Sequence, residues 1–306
     1  SPEFHVSSSN KLAPAVRPVR EGSGGGVGRG YKAIVVLFMS GGCDSYNMLV
    51  PLSACAAHDL YEEYTRVRTN LALPKSGLDA IDEVSGTQPC ATFGVHKALS
   101  EVSRLYRAGD AAFIANVGPL VEPLTKQQYY DGSAALPSSL FSHNTQQRHW
   151  HTVDPANANA LGILGKIVDA LVTREPSPLH AGGYSIAGST RMLRSSLIPA
   201  DIIDPREGVV RFSAYNRLHQ YIENMTRYES RGAFAETYSA ALQEMLGRTE
   251  VLGEMLDSVE LETKFGGSGL DQQFEQVAKL IKSRAVSGLE REVFFVSRGG
   301  FDMHNE

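Results

Sequence analysis

Hydrophobic residues run almost unbroken from Ile34 to Met39 and from Val293 to Val296, and each run leads into two glycines followed by an acid. The first unit reads Ile-Val-Val-Leu-Phe-Met-Ser-Gly-Gly-Cys-Asp from residue 34, and the second reads Val-Phe-Phe-Val-Ser-Arg-Gly-Gly-Phe-Asp-Met-His from residue 293. Runs without polar interruption predict strands at 32–39 and 292–297 covered on both faces, as in a parallel sheet. Between them, Val95, Leu99, Val102, Leu105 and Tyr106 recur at helical spacing, which predicts a helix over 96–107 ended by Gly109. Residues 111–117 then read as a buried strand closed by Gly118-Pro119, and this helix-to-strand step predicts an α/β fold with a mostly parallel central sheet flanked by helices.

The rest of the pattern is mainly helical. Short helices are predicted over 59–68 and from Ser142 to Trp150, with a longer one over 161–172 that turns Ile163, Ile167, Val168 and Leu171 inward. Residues 74–92 hold Pro, Gly, Ser and Asp and read as loop, and 184–187 as a short strand. A helical insertion is expected over about 214–263. Its stripe of Tyr238, Leu242, Met245, Leu252, Met255 and Val259 is expected to pack on the protein's own sheet or in a helical subdomain, the alternative being a partner-binding helix. An amphipathic helix over 270–285 leads into the last strand. No internal repeat is present.

Composition narrows the function. Residues 5–30 are rich in Ser, Gly, Pro and Arg and read as a flexible leader, preceded by Ser1-Pro2-Glu3-Phe4, which reads as vector sequence. The domain is expected over 31–306. A net charge of −5 with no long basic run argues against nucleic acid as partner. No apolar stretch is long enough for a membrane span. Cys43, Cys55 and Cys90 form no CxxC pair, which argues against a structural zinc site. One bridge could form among them; none is expected.

Ligands in open α/β sheets bind beyond the carboxyl ends of strands, so Asp44 and the Asp302/His304 pair are candidates for one shared site. Asp and His suit a hard or borderline divalent cation, and the glycines at 41 and 42 let the chain turn and a ligand approach. Asp44 could equally cap the turn that follows it. Ser142 could be a helix cap or a nucleophile, since the field at a helix N-terminus favours an alkoxide and an anionic ester beside it. His143 is a candidate ligand or proton donor. Arg148 could clamp an anion, although an exposed polar helix face is the expectation, and His149 and His151 are expected to be solvated. His58 and His96 are expected to be structural.

Five segments together resemble the DUF1501 family of the alkaline phosphatase-like (sulfatase-like) superfamily. They are VVLFMSGGCDSYNMLVP at 35–51, GVHKALSEVSRLYRAGDAAFIANVGPL at 94–120, LFSHNTQQRHWHT at 140–152, GYSIAGSTRML at 183–193 and VFFVSRGGFDMHNE at 293–306. The resemblance implies a metal-dependent hydrolase of phosphate or sulfate esters, acting on a small molecule or a polymer. It implies Asp44, Asp302 and His304 as ligands of zinc, calcium, manganese or magnesium, and Ser142 as the nucleophile, beside which His143 is the catalytic candidate of the residue reading. It also implies export, with the signal peptide not present in this sequence. The sequence departs from the family at Cys43 (usually Asn), at Ser45-Tyr46 (usually Gly-Leu) and at Met303 (usually Thr); Thr145 stands where a related subgroup has Asp. Family members continue past this point into a glutamate-containing segment and an Asp-His-Gly motif, so the core is expected to be C-terminally incomplete and the metal set short of ligands. The alternative reading is a non-catalytic exported binding or assembly protein of the same fold. A nucleotide-binding reading is weaker, since Gly-Gly-Cys-Asp lacks the GxGxxG pattern.

Overall fold

The structure is a computed structural model that describes residues 30–115, 117–226 and 232–302. The expected leader before residue 30 lies outside the described residues, as does His304. In chain order the strands are β1 (Lys32–Met39), β2 (Leu49–Cys55), β3 (Leu78–Asp82), β4 (Cys90–His96), β5 (Ala181–Ser185), β6 (Asp201–Ile202) and β7 (Arg291–Arg298). The helices are α1 (Leu60–Arg68), α2 (Ser100–Arg107), α3 (Lys126–Asp131), α4 (His143–Thr152), α5 (Ile163–Val172), α6 (Tyr215–Thr226), α7 (Ala233–Asp257), α8 (Gly269–Lys282) and α9 (Arg284–Ser287). The described residues divide into two compact units, 30–38 with 119–298, and 39–118 with 299–302.

The first unit holds a four-stranded parallel sheet in the order β1-β7-β5-β6. Side chains alternate across a strand, and β7 uses both faces. Phe294 and Val296 join Tyr184, Ile186 and Ile203 against Leu256 of α7 and Val277 and Leu280 of α8. Val293 and Phe295 join Ala181, Met192 and Leu193 against Leu164 and Val168 of α5. The sheet is thus sandwiched between helices, which is why β7 reads as a continuous apolar run. Packing is tight at Gly183: a Cβ on it would stand 3.0 Å from Leu193 Cδ2 and 3.3 Å from Val293 Cγ2.

One expectation about this sheet is corrected. The run at 32–39 was expected to be covered on both faces, yet β1 lies at the sheet edge, where Ile34, Val35 and Leu37 are exposed while Val36 and Phe38 pack on the second cluster. β7 takes the position between β1 and β5 instead. The stripe on α7 also divides. Leu252 and Met255 pack on the first cluster, while Tyr238 and Met245 remain exposed.

The second unit is a three-stranded antiparallel sheet, β2-β4-β3, that was not expected. Leu49 pairs with Val95, Cys55 with Cys90 and Leu78 with His96, with an irregularity between Pro51 and Ser53. Its core is Val50, Leu78, Ile81, Cys90 and Val95. The segment 74–92, expected as loop, contributes β3 and the start of β4. The strand expected at 111–117 is absent among the described residues: Ile114 is 85% and Val117 57% exposed, and nothing pairs with them as a ladder. A disulfide joins Cys55 to Cys90, correcting the expectation of no bridge.

Candidate functional site

Two loops that leave strands side by side in one unit carry the expected acids. The first, 40–48, turns through Gly41 and Gly42, which sit at φ +85° and +80°, where a side chain would be strained. The second, 299–302, turns through Gly300 at φ +89°. They lie against each other: a Cβ on Gly299 would stand 3.4 Å from Ser40 Oγ, and one on Gly41 would stand 3.7 Å from the Cβ of Asp302. The structure therefore brings Asp302 to within three residues of Asp44 along the first loop.

Asp44 does not cap the turn that follows it. Its Oδ2 accepts a hydrogen bond from the guanidinium of Arg68, the last residue of α1. Asp59 starts that helix by accepting from Tyr61 N at 2.9 Å and Glu62 N at 3.0 Å. The end of α1 is joined to the loop by further bonds: Tyr64 Oη donates to Asn47 Oδ1 at 2.5 Å, and Asn47 Nδ2 to the Leu71 carbonyl at 3.0 Å. The Arg68 guanidinium also lies 5.8 Å from the centroid of the Tyr46 ring. Its Nε is buried and has no hydrogen-bond partner. Sequence reading missed Arg68, which sits 24 residues from Asp44 and carries no motif.

The free thiol of Cys43, beside Asp44, is pushed up by burial and then by the Asp44 charge. Asp44 and Asp302 are hard oxygen donors and fit magnesium, calcium or manganese completed by water or ligand oxygens. Zinc would call on His304, outside the described residues. Among the described residues no group of three or more His, Cys, Asp or Glu is placed to hold a metal ion.

Ser142 and His143 belong to the other unit. Ser142 stands at the N-cap of α4, exposed, and its side chain makes no capping bond to the helix. Two other caps behave differently: the Thr125 and Ser268 hydroxyls each close a reciprocal capping box with the third residue of their helices. The first turn of α4 thus keeps its N–H groups unclaimed by Ser142.

Farther along α4 the structure corrects an expectation. His149 is only 2% exposed, and His151 packs edge-on against Phe38 and Phe295 at 4.8 and 5.5 Å between ring centroids. Neither is solvated. Burial, then the Arg148 charge, lowers the pKa of His149; burial, then Arg191, lowers that of His151. In both, desolvation favours the neutral ring. Arg148 reaches Ser138 Oγ at 3.2 Å and His149 Nε2 at 3.3 Å, so its guanidinium is engaged within the fold. His58 pairs with Glu63 at 2.7 Å, and His96 Nδ1 accepts from Ala98 N at 3.0 Å.

The chain has no match among family models, curated proteins or solved structures.

Proposed function

We propose that this chain binds a divalent cation through Asp44 and Asp302 and hydrolyses phosphate or sulfate esters. The observation that supports this most is the contact of the two strand-end loops, which sets Asp302 against Gly41, close in the chain to Asp44. The acids occupy loops past the ends of strands, where α/β sheets hold ligands. A bound cation there would supply Lewis-acid polarisation of an ester oxygen. The loop glycines leave room for a substrate to approach the backbone. Ser142, in the other unit, keeps an exposed hydroxyl at a helix N-terminus it does not cap, which suits a nucleophile.

The test is metal content by inductively coupled plasma mass spectrometry, together with hydrolysis of 4-nitrophenyl phosphate and 4-nitrophenyl sulfate. Near-stoichiometric magnesium, calcium or manganese, lost in both Asp44→Ala and Asp302→Ala, is the expected result. Ser142→Ala should keep the metal and lose the hydrolysis. Metal retained in both aspartate variants would overturn the assignment.

A second reading, an exported binding or assembly protein of the same fold, is favoured by one observation: Asp44 is already paired with Arg68. This reading expects an intact fold with neither metal nor turnover. The Cys55–Cys90 disulfide supports export under either reading, because disulfides persist in oxidising compartments. No helix among the described residues is long and apolar enough to cross a membrane.

A further inference from the structure

Arg68 bears on the cation reading of Asp44 and Asp302, and the inference drawn from it rests on that reading. We propose that Arg68 is a built-in competitor for the cation: its guanidinium holds the Asp44 carboxylate when no metal is bound and must release it when one binds. Three features separate this ion pair from an ordinary structural one. Only one carboxylate oxygen, Oδ2, takes a bond from Arg68, and only through Nη2. The Nε of the same guanidinium is buried without a partner, so the side chain is under-satisfied where it lies. The Tyr46 ring, 5.8 Å away, offers the cation a second resting surface beside the first.

Arg248 provides the internal comparison. It spans both oxygens of Asp201, at 2.7 and 2.8 Å, and lies 3.7 Å from Glu244 as well. No nitrogen of Arg248 is buried and orphaned. That arginine ties α7 to β6 and holds both oxygens of its partner. Arg68 holds one oxygen of its partner and leaves its Nε unpartnered, and that partner, Asp44, lies on the loop against which Asp302 sits. A unit positive charge against Asp44 opposes any second cation there, and removing it strengthens cation binding without adding a ligand. The Arg68 charge therefore sets the metal concentration at which the loop fills.

The test is titration of Mn²⁺ alone into the protein, read by isothermal calorimetry and by loss of the free Mn²⁺ paramagnetic resonance signal. The parent chain is compared with Arg68→Gln, which removes the charge, and Arg68→Lys, which keeps it. Arg68→Gln should bind Mn²⁺ about 10-fold more tightly, the order expected for one nearby charge partly screened by water. Arg68→Lys should stay close to the parent. Circular dichroism melting checks each fold, and Arg68→Met replaces Arg68→Gln if the latter melts early. Equal affinity in all three would overturn the competitor role and leave the metal reading standing. Weaker binding in both neutral variants would do the same, making Arg68 a support of the loop. No Mn²⁺ bound by any of them would retire the metal reading and the role of Arg68 together.

Discussion

Cys55 and Cys90 occupy directly opposed positions on β2 and β4 and are joined by a disulfide across the pair. The bond closes a segment with a sequence separation of 35 that contains α1 and β3. On loop-closure entropy alone, such a bridge is worth about 3–4 kcal/mol. The chain is therefore expected to unfold at lower denaturant in the presence of reductant. Alkylation in denaturant should label one thiol, Cys43, before reduction and three afterwards. Three labelled thiols without reductant would exclude the bridge.

The buried His149 and half-buried His151 of α4 give stability a pH dependence. Their folded pKa values are lowered, so the unfolded chain binds more protons than the folded one as pH falls toward and below the ordinary histidine value of about 6.5. Stability is complete above that value and declines below it. His151→Leu removes a buried ring nitrogen that has no partner. Denaturant midpoints at pH 7.5 and 5.0 should show a smaller acid loss in this variant than in the parent. An equal loss would mean that His151 is free to protonate in the folded state.

Phe294 is fully buried on the central strand β7 and stacks on Tyr184 with ring centroids 5.5 Å apart. Phe294→Ala is expected to cost about 3–5 kcal/mol of stability, measured by urea unfolding. Val84→Ala serves as the control, since Val84 is 86% exposed and should change the midpoint little.

Gly162 and Gly165 let the start of α5 lie against the backbone of residues 191–195. A Cβ on Gly162 would stand 2.1 Å from the Arg191 and Met192 carbonyl oxygens, and one on Gly165 would stand 2.2 Å from that of Arg194. Backbone cannot move aside as a flexible side chain can, so either Gly→Ala change should cost at least about 1–3 kcal/mol. A melting temperature equal to that of the parent would show that this close approach is not made in solution.

Ser142 and Ser268 are both helix N-caps, but only Ser268 bonds its helix, accepting from Asp271 N at 3.2 Å. Ser268→Ala should cost about 1 kcal/mol, whereas Ser142→Ala should leave stability within about 0.5 kcal/mol of the parent. Thermal melts of the two variants check this. A matched loss would return Ser142 to an ordinary capping role.

Short-range pattern was enough to fix several elements. The helices at α1, α2, α4, α5 and α8 and the strands β1, β5 and β7 stand within a few residues of where periodicity, caps and glycines put them. The glycine turns after β1 and β7 were legible too, because a positive φ leaves a sequence mark. The place of a strand within its sheet was decided by pairing. β1 and β7 look alike as apolar runs, and only strand order made one the edge and the other the centre. β3 escaped detection because its five residues, Leu-Asp-Ala-Ile-Asp, sit among turn formers and gain their burial from β4 and α2. The run at 111–117 failed the other way, apolar in composition but with no strand beside it. At the candidate site the sequence singled out Asp44 and Asp302, because a loop after a strand announces itself locally. Only the tertiary structure decided that Arg68 would meet Asp44 and that Asp302 would lie against Gly41, because partners distant in sequence are chosen by packing.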